Sequence, residues 1–425
     1  MATDEYRLEQ LHTGQRLVTE KLDHLRSVCM GFWVPAGSRD ESLTLAGATH
    51  FIEHLLFKGS SKYTAEEIAQ IFDTLGGELN ASTSREYVVV YGRFLDDELA
   101  VALDVMTDML ISPAFTDLDR EREVVLEEIA MVEDSPQDLI HDVLAEVVLG
   151  DHPLAHPILG TRETVAGASE EDIRSYHGAK FGFEDMIVAA AGNVDHDLLR
   201  EMLLEKQGGG KGRGDKRAVR LPPQEARRRF VPKETEQMHV CLGGIGLARG
   251  DERRFQLSVL DSLFGGSLSS RLFQEVREKR GLVYSVYSFS SLYQETGLSG
   301  IYFGCRPERL SAVMETLGRE LKRLIDEPVG QEELERAKQH LKGRLILGLE
   351  STSSRMTRLG KAVTTNTDIL SLDELAGRID AVTCEELQEL AREVFRPSGL
   401  SVVGIGGDEQ KFAAAVPADG VAALV

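Results

Sequence analysis

The sequence predicts an α+β protein built from two similar domains. Runs with strand character alternate with capped, amphipathic segments along the chain. A glycine-rich basic stretch, 207–216, suits neither a helix nor a strand, so it indicates a linker near the middle of the chain. The two halves on either side of it resemble each other. We therefore predict domains at 1–206 and 221–425, joined by a linker at 207–220.

The first half shows the alternation most clearly. Thr64 and Glu67 form a capping box, and the helix that they open ends at a pair of glycines. Residues 87–91 are β-branched or aromatic, which favours a strand. In chain order we predict strands at 16–20 and 26–34, a histidine-containing helix, the Thr64 helix, strand character within 78–94, helices at 97–110 and 117–133, a helix capped by Ser169, a strand at 186–191 and a helix that begins near His196.

A shift of 214 residues aligns the second half with the first. It carries 168–181 onto 382–395 and Gly192 onto Gly406. The match extends without a gap over about seventy residues, which indicates a duplicated domain.

Composition excludes several functional classes. The chain has 425 residues and a formal net charge of −22, which disfavours nucleic acid and anionic membranes and favours cationic ligands such as basic peptides. The amino-terminal residues carry no apolar segment and no apolar run approaches a membrane span, so we expect a cytoplasmic protein without membrane association. Its four cysteines form no CxxC pair, so we expect reduced core residues.

One short segment carries the residues that point to chemistry. His50 and His54 are four residues apart, so on a helix both project from one face, as two imidazole ligands of one Zn²⁺ ion do. Glu53 falls within the same arc, where it could take a proton from a water molecule at the metal. The alternative is a chance match in a chain with 11 histidines. A second segment that supplies a third ligand would argue against chance.

Helical periodicity in 116–134 suggests that third ligand. The apolar stripe is predicted at Val124, Val125 and Val132, and Glu121 and Glu128 share it. Two buried carboxylates need a cation or hydrogen-bond donors, because an unpaired buried charge costs several kcal/mol. We predict Glu128 as the direct ligand and Glu121 as its support, and the alternative is a pairing with a buried arginine. Three acidic residues are predicted to point away from the stripe: Glu123, Glu127 and Asp134.

The same segments resemble a known family. His50-Phe-Ile-Glu53-His54, followed by Glu121-Arg-Glu-Val-Val-Leu-Glu-Glu128, is similar to the inverted zinc motif of the pitrilysin-type (M16, inverzincin) metallopeptidases, which include insulin-degrading enzyme and mitochondrial processing peptidase. The resemblance covers nearly the whole chain, including 76–81, 152–161 and 271–285. The length resembles the short-chain branch, which contains the processing peptidase β subunit and bacterial relatives.

The resemblance implies a fold and a metal centre. Each domain would be a mainly antiparallel β-sheet packed with helices, and the chain would form half of a clamshell. One Zn²⁺ per chain would be bound by His50, His54 and Glu128, with Glu53 as general base and Glu121 in support.

The internal repeat also predicts that the second domain has no metal site. Residues 55–60 resemble residues 262–267. This alignment places Leu257, Leu260 and Asp261 opposite His50, Glu53 and His54.

The resemblance also implies how a substrate is held. The strand at Asn80, Ala81 and Ser82 would pair with an extended peptide by β-addition, which reads backbone rather than side chains. Arg277 and Tyr284, seven residues apart, would contact the substrate from the second domain. The alternative for Arg277 is a solvated helix face, because it lies in a charged run.

These observations predict a zinc metalloendopeptidase that cleaves peptides or unfolded polypeptide segments inside an enclosed dimer chamber. Two alternatives remain open. One is the catalytic subunit of a hetero-oligomeric processing peptidase, whose partner, a related subunit, supplies the arginine and tyrosine elements. The other is a non-catalytic assembly subunit, against which the intact ligand set and base argue.

Overall fold

The computed structural model describes residues 6–206 and 225–417, together with residues 217, 220–222 and 421. The predicted linker, 207–220, lies outside the described residues except at positions 217 and 220. The described chain folds into two mixed sheets with helices packed on them, as the sequence predicts. None of the helices in this part of the chain is long and apolar enough to cross a bilayer.

The first half of the chain forms a six-stranded sheet. Its strands are β1 (Tyr6–Gln10), β2 (Arg16–Lys21), β3 (Ser27–Val34), β4 (Glu78–Thr83), β5 (Val88–Leu95) and β6 (Ile187–Gly192). The order is β1-β2-β6-β3-β5-β4; β2 and β6 pair in parallel, and the other neighbours are antiparallel. The predicted strands at 16–20, 26–34 and 186–191 are confirmed. The strand character within 78–94 belongs to a hairpin, which turns where the amide of Ser84 donates to the carbonyl of Tyr87.

Helices α2, α6, α7 and α8 of the first half begin at residues whose side chains cap them. Thr64 and Glu67 form the predicted capping box, and Ser169 forms another with Asp172. The helix predicted at 97–110 begins slightly later, because Asp96–Glu98 forms a 3₁₀ turn. These helices are α1 (Ala48–Leu56), α2 (Ala65–Thr74), α3 (Leu99–Ile111), α4 (Leu118–Asp134), α5 (Pro136–Leu149), α6 (Arg162–Gly167), α7 (Glu170–Lys180) and α8 (His196–Glu205).

The second half of the chain forms a five-stranded sheet of similar topology, in the order β7-β11-β8-β10-β9. Its outer pair, β7 and β11, is parallel and the other pairs are antiparallel. The strands are β7 (Arg228–Pro232), β8 (Met238–Gly246), β9 (Val283–Leu292), β10 (Gly297–Cys305) and β11 (Ser401–Gly406). The helices are α9 (Arg254–Phe264), α10 (Leu310–Asp326), α11 (Gln331–Gly348), α12 (Thr352–Thr364), α13 (Leu372–Asp380), α14 (Cys384–Val394) and α15 (Glu409–Ala415).

The predicted repeat is visible in the elements themselves. A shift of 214 residues carries α7 onto α14 and β6 onto β11, with the same first and last positions. Both helices open with a capping box, at Ser169 and at Thr383. The duplication read from the sequence therefore extends to the caps that start equivalent helices.

The compact units of the structure do not follow the two halves of the sequence at every element. One unit holds the first sheet together with Leu347–Ser371, which contains α12. The other holds the second sheet together with Met131–Ala155, which contains α5. Each sheet is thus covered on one face by a helix from the other half of the chain, whereas the sequence predicts boundaries at 206 and 221.

Helix α12 packs on one face of the first sheet, against β2, β3 and β6. Alternate residues of β3 face opposite sides: Trp33 meets Met356 and Leu359 of α12, whereas Phe32 belongs to the core that contains α1. Two arginines of α12, Arg355 and Arg358, pair with Glu20, whose side chain is 3% exposed. The sheet is therefore buried on both faces at its strands β2, β3 and β6.

Candidate metal centre

Helix α1 presents its histidines on the one face that is not apolar. Phe51, Ile52 and Leu55 are fully buried in the core. The side chains of His50 and His54 remain 13% and 19% exposed, and their ring centroids are 4.7 Å apart. The amphipathic pattern of this short helix therefore aims both imidazoles in one direction.

The amino end of α1 is held by a buried carboxylate that the sequence analysis did not identify. Glu41 accepts hydrogen bonds from the backbone N–H groups of Gly47 and Thr49, each at 2.7 Å. These are donors that a helix start leaves without an intrahelical partner. Burial raises the pKa of Glu41 to about 7, although the same hydrogen bonds oppose the increase. Gly47 adopts a φ of 92°, which favours glycine, and a Cβ there would also lie 2.4 Å from the Leu159 carbonyl oxygen.

The structure brings His50, His54 and Glu128 together. One ligand atom from each lies within 4.8 Å of the others. Oε2 of Glu128 is 3.5 Å from Nε2 of His50 and 3.5 Å from Nε2 of His54. Two atoms about 2.0–2.1 Å from one ion, at a tetrahedral angle, would be about 3.4 Å apart. The donor set therefore fits a zinc ion.

The electrostatics of His50 suit a ligand. Burial, with a smaller contribution from neighbouring His54, lowers the pKa of His50 to about 4. Its imidazole is therefore neutral near neutral pH, which is the form that binds metals.

Helix α4 supplies Glu128 in a phase slightly different from the predicted one. Glu121, Val125 and Ile129 form the buried stripe. Val124 is 41% exposed, so its predicted place on the stripe is wrong, whereas Val132 lies on the stripe and is partly buried. Residues four apart define this stripe, and Val124 lies about 100° around the helix from Val125. Glu128 borders the stripe with its side chain 38% exposed, whereas Glu123, Glu127 and Asp134 are exposed as predicted.

Glu121 has a cationic partner, but it is a lysine rather than the arginine that the sequence analysis considered. Its side chain is 5% exposed, and its Oε1 lies 2.7 Å from Nζ of Lys58. Its Oε2 lies 3.5 Å from Nδ1 of His54. Lys58 follows His54 by four residues, so the helical periodicity that linked the histidines could also have identified it.

Glu53 lies beside the three donors and contacts the edge of the sheet. Thr83 of β4 donates a hydrogen bond from its hydroxyl to Oε2 of Glu53. Burial raises the pKa of Glu53 above its ordinary value, while the Thr83 hydrogen bond and His54 act in the opposite direction. A carboxylate with a raised pKa is better matched to proton transfer near neutral pH. Thr83 carries no motif, so sequence reasoning missed it.

Strand β4, which contains Asn80, Ala81 and Ser82, is an edge strand. It pairs with β5 on one side and ends the strand order of the first sheet. The backbone N–H of Ala81 donates to Oδ1 of its neighbour Asn80, at 2.8 Å, rather than to a strand. An edge strand beside a metal centre offers backbone groups to an extended chain.

Arg277 and Tyr284 lie in the unit that contains the second sheet, and they contact each other. The guanidinium carbon of Arg277 is 4.9 Å from the centre of the Tyr284 ring and 4.7 Å from that of Phe273. Tyr284, at the start of edge strand β9, is 77% exposed. In α9 of the same unit, Leu257 and Leu260 are buried core residues. Within the described residues, the group formed by His50, His54 and Glu128 is the one that could hold a metal.

The fold and the site together define the class of protein. The two mixed sheets are each packed with helices from both halves of the chain, and a glutamate completes an inverted two-histidine motif. These are the features of an inverzincin. Comparison with known proteins assigns the chain within this class. Residues 16–162 match the family described as "Insulinase (Peptidase family M16)", and residues 167–341 match "Peptidase M16 inactive domain". The chain belongs to the M16 peptidase family.

Several relatives are described as zinc proteases. A Streptomyces coelicolor protein called an uncharacterized zinc protease is 44% identical over 412 residues, which cover 93% of this chain and 89% of that protein. A Bacillus subtilis protein with the same description is 40% identical, over 90% of this chain and 94% of that one. Among solved structures, a Helicobacter pylori protease shares the fold with a TM-score of 0.86 and 23% identity, and the match covers 95% of this chain and all (100%) of that chain.

Proposed function

We propose that this protein is a zinc endopeptidase that cleaves peptides or unfolded polypeptide segments. The observation that carries the proposal is the group formed by His50, His54 and Glu128, in which Oε2 of Glu128 lies from each histidine Nε2 at the separation of a tetrahedral zinc site. A carboxylate with a raised pKa lies beside that group. Zinc with a free coordination position and an adjacent base is the constellation of a metallohydrolase.

Each residue has a separate task in this mechanism. A zinc ion held here would polarise the scissile carbonyl and lower the pKa of a water molecule. Glu53 accepts the proton of the attacking water and returns it to the leaving amine. Thr83 orients the Glu53 carboxylate through its hydrogen bond. Glu121 supports His54 from the side away from Glu128.

The substrate lies as an extended strand along β4. The free edge of β4 pairs with the peptide backbone, so recognition depends little on side-chain sequence. The N–H of Ala81 donates to Oδ1 of Asn80 in the free protein, and it donates to the peptide backbone instead when the substrate binds. The formal net charge of −22 favours peptides with basic residues.

The test of this function separates two neighbouring glutamates. Glu128→Gln should weaken zinc binding strongly and abolish hydrolysis of a quenched fluorescent peptide, because an amide oxygen is a poor replacement for a carboxylate ligand. Glu127→Gln is the matched control, since its side chain is exposed on the other side of α4, and should leave both properties unchanged. Zinc content by elemental analysis and peptide turnover are measured on the same samples. Equal loss in both variants, or peptide hydrolysis by metal-free protein, would contradict the proposal.

The working form that we propose is a cytoplasmic homodimer whose two chains enclose the substrate. An edge strand that recognises the peptide backbone would bind many sequences. A chamber enclosed by two chains would exclude folded proteins, so it would restrict cleavage to peptides and unfolded segments. Light scattering of the purified chain measures its mass in solution. A monomer that cleaves peptides at full rate would contradict the dimer.

We propose that Arg277 and Tyr284 hold the substrate and stabilise the charge that develops on the scissile carbonyl oxygen. Arg277→Ala and Tyr284→Phe should each lower kcat by about 10²–10³, the usual effect of losing one positioned donor, while zinc content stays normal. Lys279→Ala is the control for the alternative of a solvated charged run, because Lys279 is 61% exposed in the same run. Near-normal kcat/KM in the Arg277 and Tyr284 variants would remove both residues from the mechanism.

A further inference from the structure

The carboxylate of Glu121 has a different partner on each of its two oxygens. Oε2 faces Nδ1 of His54 at 3.5 Å, and Oε1 faces Nζ of Lys58 at 2.7 Å. The Glu121 side chain is 5% exposed, so solvent does little to stabilise its charge. Within the part of the chain that the structure describes, Lys58 is the one lysine or arginine paired with it.

Lys58 is itself fixed by the end of α1. Its backbone N–H donates to the carbonyl of Leu55 at 3.1 Å, and its own carbonyl accepts from the hydroxyl of Thr116 at 2.6 Å. Thr116 lies just before α4, the helix that carries Glu121. The lysine therefore connects the helix of the histidines to the helix of the glutamates, through both its backbone and its ammonium group.

We propose that Lys58 is a positioning residue of the metal centre. It holds the Glu121 carboxylate in a fixed orientation against Nδ1 of His54, so that His54 presents Nε2 toward His50 and Glu128. A metal-binding histidine commonly donates its other ring N–H to a carboxylate, which fixes both the tautomer and the ring orientation. Lys58 acts one step further out, on that carboxylate. This inference rests on the proposed zinc centre.

A positioning role of Lys58 and a simple effect of its charge predict opposite changes in zinc affinity when the lysine is removed. Lys58 is a cation close to a site for another cation, so its charge alone repels zinc, and removing it would tighten zinc binding. If Lys58 instead orients Glu121, removing it lets the carboxylate turn away from His54 and weakens zinc binding. Loss of such an outer partner commonly lowers metal affinity by about 10- to 100-fold. The sign of the change therefore distinguishes the two effects.

The experiment measures zinc affinity by competition with a chromophoric chelator, without any substrate. We expect Lys58→Met to raise the zinc dissociation constant at least about tenfold. Lys58→Arg should restore most of the affinity, because it keeps a cation that can pair with a carboxylate. Lys62→Met is the matched control, since Lys62 lies four residues further on and pairs with Asp104 at the surface. Lys58→Gln gives the same comparison if Lys58→Met does not fold.

A double-mutant cycle tests whether Lys58 acts through Glu121. In a Glu121→Gln background, Lys58→Met should cause little further loss of zinc affinity, because the carboxylate that it positions is absent. Unchanged or tighter zinc binding in Lys58→Met would overturn the inference, and so would an equal loss in both backgrounds. A protein that binds zinc as expected but cleaves no peptide would contradict the proposed function and leave this affinity result standing.

Discussion

Glu53→Gln should retain zinc at the wild-type level and lose peptide cleavage, with kcat/KM reduced by about 10²–10⁴ or to below detection. The amide has nearly the shape of the carboxylate and can still accept the hydrogen bond from Thr83, so the fold is preserved. It cannot accept a proton from water. Zinc content and turnover of a quenched peptide, measured on the same preparation, separate the proton transfer from metal binding.

Thr83→Val provides a graded comparison for that result. It removes the hydroxyl that orients Glu53 but leaves the carboxylate, so we expect a smaller loss of kcat than in Glu53→Gln, at normal zinc content. Cleavage by Glu53→Gln at a rate close to wild type would exclude Glu53 as the base. A loss of zinc in Glu53→Gln would place it among the residues that hold the metal instead.

A chain truncated after residue 206 should fail to form a soluble folded domain, although it keeps every residue of the metal centre. The truncation removes α12, which covers one face of the first sheet. Trp33, which is 1% exposed in the full chain, would then face solvent. Glu20 would lose both of its arginine partners, and leaving a buried charge unpaired costs about 3–5 kcal/mol. Solubility and circular dichroism of the truncated chain check this result.

Two glycines in helices provide the matched control for the role of α12. In an open helical position, Gly→Ala stabilises by about 0.5–1 kcal/mol, and Gly377 of α13 has no atom within 4 Å of an added Cβ. At Gly360 of α12, the added Cβ would lie 2.0 Å from Nε1 of Trp33. We therefore expect Gly377→Ala to raise the Tm and Gly360→Ala to lower it, by about 1–3 kcal/mol in stability. A rise in both variants would contradict the tight packing of α12 on Trp33.

The sequence alone predicted the local features, because their patterns span only a few residues. Residues three and four apart share a helix face, so the spacing of His50, Glu53 and His54 already implied one metal-facing surface. The same rule brought Glu128 into consideration, although the phase of α4 was wrong for Val124. A capping box at Thr64 and a cap at Ser169 predicted where two helices begin, and the constant shift of 214 residues predicted the duplication.

The contacts that only the tertiary structure decided join residues distant along the chain. Glu53 meets Thr83 across 30 positions, and the pair formed by Lys58 and Glu121 depends on how α4 packs against α1. Thr83 carries no motif, and the spacing of Lys58 from His54 does not specify which carboxylate the lysine meets.

Helices α5 and α12 each cover the sheet formed by the other half of the chain, and the sequence did not predict this arrangement. The sequence by itself determined that the two halves are duplicates. Which sheet α12 covers depends on the fit of Gly360 against Trp33 and of Arg355 and Arg358 against Glu20. The hydrophobic effect is non-directional, so an apolar helix face specifies that it must be buried but not against which sheet. That choice is made by shape and charge complementarity between residues more than 300 positions apart.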